Sequence, residues 1–253
     1  MKILILGGTT EARELAGKLD ARDGADILLS LAGRTAHPRE QGVPTRIGGF
    51  GGAEGLARFV RDENIRLLID ATHPYADKIS ANAHRAAEET GVPFLSLRRA
   101  PWEKRPGDTW IEVGMVADAV EALGEKPARV FLALGRKDIA PFEAAPQHAY
   151  LVRSVDPIDP PLAVPNAIYV TARGPFSEED DRVLLERHRI GVIVSKNSGG
   201  SASYGKIAAA RALGLPVIMV RRPVLPEAPS AATVDEAVAW CDHAFTGEAM
   251  RGV

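Results

Sequence analysis

Two stretches of this chain nearly repeat at half its length. Residues 91–99 read GVPFLSLRR, and residues 214–222 read GLPVIMVRR. Each follows an alanine-rich helical run, AHRAAEE at 83–89 and KIAAARAL at 206–213. Before each run an apolar strand ends in a polar loop: IRLLIDATHPYA from Ile65, and IGVIVSKNSGG from Ile190. The offset is 123 to 125 residues in a chain of 253. Helix, Gly-x-Pro and strand also recur in doubly wound folds without duplication, but the extent of the correspondence favours two Rossmann-like α/β lobes with mainly parallel sheets. Ligands of open α/β sheets bind beyond the carboxyl ends of the strands. Two such lobes face to face would line one cleft with Thr-His-Pro-Tyr on one wall and Lys-Asn-Ser-Gly-Gly on the other.

Apolar runs of strand length alternate with helical patterns along the whole chain, the pattern of a parallel α/β protein. Strands are predicted near 2–6, 27–31, 66–70 and 93–97, with helices near 10–20, 53–62, 77–89 and 115–123. The second half offers strands near 130–134, 149–153, 167–171, 191–195 and 216–220, with helices near 137–143, 177–188, 203–213 and 233–245. Glu-Lys-Pro-Ala-Arg at 125–129 is the predicted boundary, giving lobes 1–125 and 126–253. The proline-rich segment 156–165 is predicted as a surface loop.

A net charge of −2 gives no global attraction to nucleic acid or anionic membrane. The single cysteine, Cys241, excludes an intramolecular disulfide and a cysteine-built zinc site, and its amphipathic surroundings make it a core residue. The start MKILILGG is too short an apolar run for a signal peptide, and no run approaches the roughly 20 apolar residues of a membrane span. A cytoplasmic protein in a reducing compartment is expected.

Several loops carry chemistry. The run ILILGGTTEARELAGKL takes a buried strand through Gly7, Gly8, Thr9 and Thr10 into a helix. Glycines there let backbone approach a phosphate, and a helix N-terminus favours the anion. Thr9 or Thr10 can cap that helix or bond a phosphate oxygen. Thr9 stands at the second glycine of GxGxxG and Ala12 at the third, where alanine is tolerated. The next strand ends in ILLSLAGRTAH, with Gly33 and Arg34 and no carboxylate to grip ribose hydroxyls. A guanidinium suits a 2′-phosphate, which favours NADPH as cofactor. Gly49 lies in IGGFGG at 47–52, a second glycine-rich wall or a crossover loop.

Asp-Ala-Thr-His-Pro-Tyr-Ala at 70–76 ends a parallel strand, so Thr72, His73 and Tyr75 can bind cofactor or substrate, and His73 or Tyr75 can donate a proton. Lys196, Asn197, Ser198, Gly199 and Gly200 precede a helix and suit a carboxylate or phosphate. This loop lacks GxxxxGK[ST] spacing, which excludes P-loop nucleotide hydrolysis. Cations gather at predicted strand ends: Arg98, Arg99, Arg136, Lys137, Arg153, Arg173, Arg221 and Arg222. A polyanionic ligand would explain the set.

Taken together, these loops resemble the precorrin-6A reductase family of cobalamin biosynthesis. The resemblance rests on LGGTTEAR at 6–13, GGFG at 48–51, DATHPYA at 70–76, LRRAPW at 97–102, LGR at 134–136, Arg153 with VDP at 155–157, RGPF at 173–176 and KNSGG at 196–200. These run through most of the chain in family order, and SerAlaSer at 201–203 departs from a threonine common there. The resemblance implies hydride transfer from NADPH to one double bond of a polycarboxylate tetrapyrrole, precorrin-6A, giving precorrin-6B. It implies substrate carboxylates held by Arg136, Arg173, Lys196, Asn197 and Ser198 with Arg153, Gly199 and Gly200 beside them, and no metal of the protein's own. Three readings stand beside it: a cobalt-bearing substrate, a two-lobed glycosyltransferase, and a non-catalytic NADPH sensor.

Overall fold

The structure is a computed structural model that describes residues 1–33 and 39–249. The chain begins with β1 (Lys2–Leu6), α1 (Thr10–Asp20), β2 (Asp26–Leu31), β3 (Thr45–Ile47), α2 (Ala53–Asp62), β4 (Leu67–Asp70), α3 (Asp77–Thr90) and β5 (Phe94–Leu97). It continues through β6 (Thr109–Val113), α4 (Val116–Leu123), β7 (Arg129–Ala133), β8 (Ala149–Ser154), β9 (Ala167–Thr171) and α5 (Glu178–Arg187). It ends with β10 (Val192–Lys196), α6 (Gly205–Ala212), β11 (Pro216–Val220), β12 (Ser230–Ala231) and α7 (Val234–Ala249). No helix among the described residues is long and apolar enough to cross a membrane.

The strands form two six-stranded, all-parallel sheets in the orders β3-β2-β1-β4-β5-β12 and β9-β8-β7-β10-β11-β6. The two repeats occupy the same place in each: β4-α3-β5 in the first, β10-α6-β11 in the second. Their shared Gly-x-Pro also has a physical reason. Gly91 and Gly214 follow the helices with φ of +70° and +65°, the left-handed region where helices stop on glycine. The prolines then enter strands, where a fixed φ costs little.

Continuous apolar strands follow from burial on both faces. In β1, Ile3 and Ile5 join a core with Leu15 and Leu19 of α1, while Leu4 and Leu6 join one with Leu56 and Val60 of α2. In the second sheet Phe131, Ile193, Val217 and Met219 pack with Leu185 of α5 and Ile207 of α6.

The division of the chain differs from the expected break between 125 and 126. One unit comprises Met1–Ala100 with Pro223–Val253, the other Pro101–Arg222. The strand after β5 pairs with β11 in the second sheet, and the strand after β11 pairs with β5 in the first. The sheets therefore exchange their sixth strands, and Glu-Lys-Pro-Ala-Arg at 125–129 is only the connection from α4 to β7. The C-terminal helix follows β12 into the first unit. Val234, Ala237 and Cys241 are buried with the α1 core, and Lys18–Asp235 and Arg22–Asp242 pair at 2.7 and 2.8 Å. Cys241 is a core residue as expected, its thiol pushed up to about 12 chiefly by burial. The helix expected at 137–143 is instead two short 3-10 turns, Arg136–Asp138 and Ala140–Ala144, with Pro141 at the start of the second. The edge strands β3, β6 and β12 were not expected; each is short or largely exposed.

Two buried polar groups tie the second unit together. His148 is fully buried; its Nδ1 accepts from the Ala128 amide at 3.2 Å and its Nε2 donates to the Gly124 carbonyl at 3.1 Å. Arg153 of β8 pairs with Asp181 of α5, and its guanidinium lies 3.7 Å from the Phe176 ring centroid. Both partners of that pair are buried.

Burial pulls His148 below its ordinary 6.5. The unfolded chain then takes up a proton first as pH falls, so this contribution to stability is complete above pH 6.5 and is lost below it, by at most about 1.4 kcal/mol per pH unit. Urea unfolding between pH 7.5 and 5 is expected to show this decline, and His148→Gln to flatten it; an equal slope in both proteins would refute the assignment. Asp181→Ala strands a buried guanidinium and is expected to cost about 3–5 kcal/mol. The same unfolding assay at pH 7.5 measures it, and a loss below about 1 kcal/mol would show that water replaces the carboxylate.

Candidate functional site

In each sheet the first strand in the core of the order, β1 or β7, lies between connections that run in opposite directions. The first sheet has the 3-2-1-4-5-6 order of dinucleotide-binding folds, with β12 as sixth strand, and its switch point lies between β1 and β4. The Gly7-Gly8-Thr9-Thr10 turn opens there. The Gly7 amide bonds the Ser30 carbonyl at 2.9 Å, and Gly8 takes φ +116°, which a side chain would strain. Of the two threonines, Thr9 is the cap. Its Oγ1 accepts from the Ala12 amide at 3.0 Å and donates to the Ala71 carbonyl at 2.8 Å, which ties the turn to the end of β4. Thr10 is exposed at the first position of α1. The first amides of a helix have no partner within it, so this terminus is a ready anion site.

Beside the turn lies a cavity of about 180 Å³ at the carboxyl ends of β1 to β4, walled by Gly7, Ser30, Phe50, Leu56, Thr72 and Asn82 among others. Gly49 belongs to this wall too, so the 47–52 loop is a cavity wall and not a bare crossover. A Cβ placed on Gly8, Gly48, Gly49, Gly51 or Gly52 would meet nothing within 4 Å. Bare backbone at Gly48, Gly49, Gly51 and Gly52 thus lines the cavity, which lets a ligand approach the main chain closely. Gly33 is exposed with φ +69°, and Arg34 lies outside the described residues.

Thr72 is buried and committed: its Oγ1 donates to Asp70 Oδ1 at 2.6 Å, and its amide bonds the same oxygen at 3.1 Å. Asp70 Oδ2 receives Arg98 at 3.2 Å. His73 Nδ1 accepts the Tyr75 amide at 3.3 Å, which leaves the neutral ring's proton on Nε2. The two rings stand 5.7 Å apart, both half-buried. Arg99 pairs with Glu11 at 2.7 Å, and with Thr9, Thr72, Pro74 and Arg98 it borders a shallow recess on this side of the turn.

In the second unit the expected ligand residues divide. Asn197 is spent on the chain itself: its Oδ1 accepts the Trp102 amide at 2.7 Å and its Nδ2 donates to the Trp102 carbonyl at 2.8 Å. Trp102 Nε1 bonds the Gly200 carbonyl at 2.7 Å, and Arg222 donates to the carbonyls of Asn197 and Ser198 at 2.9 and 3.0 Å. Arg153 is spent on Asp181. The side chains of both residues are thus engaged within the unit. Lys196 pairs with Asp138 at 2.7 Å, joining the loops after β10 and β7 at this sheet's own switch point. Arg136, Lys137, Arg173 and Arg221 are exposed, and Gly199 and Gly200 both take φ +70°. Trp102, Asp181 and Arg46 were missed. Asp181 sits in the run EEDD, and nothing local marks the one acid that is buried.

A family model described as precorrin-6x reductase CbiJ/CobK matches residues 2–242. A precorrin-6A reductase of a Sinorhizobium species is 58% identical over 96% of this chain and 93% of its own. One from Rhodobacter capsulatus is 48% identical over 100% and 99%. A cobalt-precorrin-6A reductase of Priestia megaterium is 30% identical over 93% and 96%. The solved structure of a CobK precorrin-6A reductase superposes with a TM-score of 0.92 at 47% identity, covering 96% of this chain and 97% of that one. With its order of loops, its twin sheets and likeness along nearly the full length of these relatives, the chain belongs to the precorrin-6x reductase family.

Proposed function

We propose that this protein reduces precorrin-6A to precorrin-6B with NADPH. The observation that carries the reading is the glycine turn at the β1–β4 switch point of a 3-2-1-4-5-6 sheet, in a chain of the precorrin-6x reductase family. Family membership removes the glycosyltransferase reading. Relatives named for the metal-free substrate reach 58% identity, whereas the cobalt-precorrin relatives stand near 30%, which favours the metal-free macrocycle.

A bound reduced nicotinamide supplies the hydride in this chemistry. Residues of the first unit would hold the cofactor: the α1 terminus with Gly7, Gly8, Thr9 and Thr10 would take the pyrophosphate, and Arg34, beyond β2 in the sequence, would take the 2′-phosphate. Thr9 contributes its backbone, since its hydroxyl serves the cap and Ala71. Gly33, Gly49 and Thr72 shape the surrounding wall. In the second unit Arg136, Arg173 and Lys196, with the Ser198–Gly200 backbone, take substrate carboxylates, while Arg153 and Asn197 keep that surface in shape. Reduction adds one hydride and one proton to the double bond. His73 Nε2–H and the Tyr75 hydroxyl are the protein's candidates for the proton, and solvent is the alternative because the conjugated macrocycle spreads charge by itself. Holding donor and acceptor carbons in near-attack contact is the main task left to the protein.

The test mixes the protein with NADPH and metal-free precorrin-6A, follows nicotinamide absorbance and records product mass. Absorbance decay with a gain of two hydrogens in the macrocycle is expected. NADPH binding without decay would replace the reading with a cobalt-bearing substrate or a sensor, and the cobalt macrocycle run in parallel separates those two. His73→Ala with turnover intact would remove that residue as the acid.

A further inference from the structure

The cavity in the first unit is braced by a cation. Arg46 of β3 stands opposite Ser30 of β2 in the parallel register. Its Nη1 donates to Ser30 Oγ at 2.9 Å and to the Gly48 carbonyl at 3.0 Å, and its Nη2 donates to the Gly49 carbonyl at 3.2 Å. The guanidinium stacks 3.9 Å from the Phe50 ring centroid and 5.2 Å from that of Phe59. Ser30, Gly48, Gly49 and Phe50 all line the cavity.

Every one of these partners is neutral. Arg98, Arg99 and Arg153 each face a carboxylate, but among the described residues none pairs with Arg46. Burial accordingly lowers its pKa with no anion to offset the cost. A guanidinium has five N–H donors, and the three bonds above leave two. The place is also specific. In dinucleotide-binding sheets the end of β2, roughly 20 residues past the glycine turn, is where a carboxylate grips a ribose 2′-hydroxyl or an arginine accepts a 2′-phosphate. Here that place holds the small, neutral Ser30 with a guanidinium seated on its hydroxyl.

We infer that Arg46 is a specificity-determining residue that receives the ribose 2′-phosphate and makes the site prefer the phosphorylated dinucleotide. The inference rests on the cofactor reading above and deepens it. Arg46 is held in place by the fold itself. Three hydrogen bonds and a ring face fix its plane, so little side-chain freedom is lost on binding.

NADPH and NADH differ only in the 2′-phosphate, so the ratio of their dissociation constants cancels any damage to the glycine loop. Titrating each into the wild type, Arg46→Met and Arg46→Lys, with nicotinamide fluorescence as readout, gives that ratio. The wild type is expected to prefer NADPH. Arg46→Met, which keeps an unbranched stem to pack on Phe50, is expected to lose about tenfold or more in NADPH affinity and little for NADH, as removal of charge-assisted hydrogen bonds implies. Arg46→Lys retains charge without the planar fork and is expected to fall between the two. Equal losses for both cofactors would overturn the inference and leave Arg46 as a brace of the glycine loop. Absence of any NADPH preference in the wild type would overturn it as well. A wild type that binds neither dinucleotide would overturn the cofactor reading itself, and this inference with it.

Discussion

Burial of β1 on both faces and pairing on both edges is the constraint on which the first unit depends. Ile3 and Ile5 face one helical layer, Leu4 and Leu6 the other, and β2 and β4 hydrogen-bond on either side. A strand so placed has no free surface except its end. The connections to β2 and β4 leave in opposite directions, so a crevice opens at its carboxyl end and nowhere else along it. The residues that follow Leu6 must reverse the chain at once without filling that crevice. Gly8 does so at φ +116°, and Thr9 then starts the helix while its hydroxyl reaches across to Ala71. The turn is fastened to both walls of the crevice, to Ser30 through the Gly7 amide and to Ala71 through the Thr9 hydroxyl.

The same architecture in the second unit yields different chemistry because its loop ends carry different side chains. There the switch point lies between β7 and β10, and the groups that meet across it are Asp138 and Lys196. No glycine pair follows β7 directly: Leu134, Gly135 and Arg136 lead into a 3-10 turn instead of a helix. A 3-10 turn of three residues lacks the aligned dipole of a full helix, so this crevice presents side-chain charge where the first presents backbone amides. That difference suits the proposed division of labour, a diphosphate in one unit and scattered carboxylates in the other.

Much of this was legible in the sequence, and what was not has a common cause. Strands such as β1, β4, β7 and β10 announce themselves because double burial demands an unbroken apolar run. The edge strands β3, β6 and β12 are short or exposed and carry no such run. The boundary was misplaced because the sheet that β6 joins depends on its pairing with β11, more than a hundred residues on, and no local pattern records a partner. The site divides in the same way. The glycine turn, the Thr-His-Pro-Tyr segment and the cationic loop ends are local patterns that a sequence shows directly. Arg46 reads as a surface arginine until parallel register sets it against Ser30.

Asn197 shows how far a distant partner can change the meaning of a motif. Read locally, Lys-Asn-Ser-Gly-Gly is a small, amide-rich turn that suits an anion. In the fold its asparagine forms with the backbone of Trp102 the same two-bond exchange that one strand residue makes with another, 95 positions away in sequence. Arg222 then takes the carbonyls of Asn197 and Ser198. Trp102 and Arg222 stand at the two ends of the segment Pro101–Arg222, so the places where the chain enters and leaves this unit are secured to a single loop. A loop tied inward at Asn197, Ser198 and Gly200 has few conformations left to lose. Lys196 at its start pairs with Asp138, and Gly199 and Gly200 follow at φ +70°; if this surface takes substrate carboxylates as proposed, little conformational entropy remains to be lost on binding.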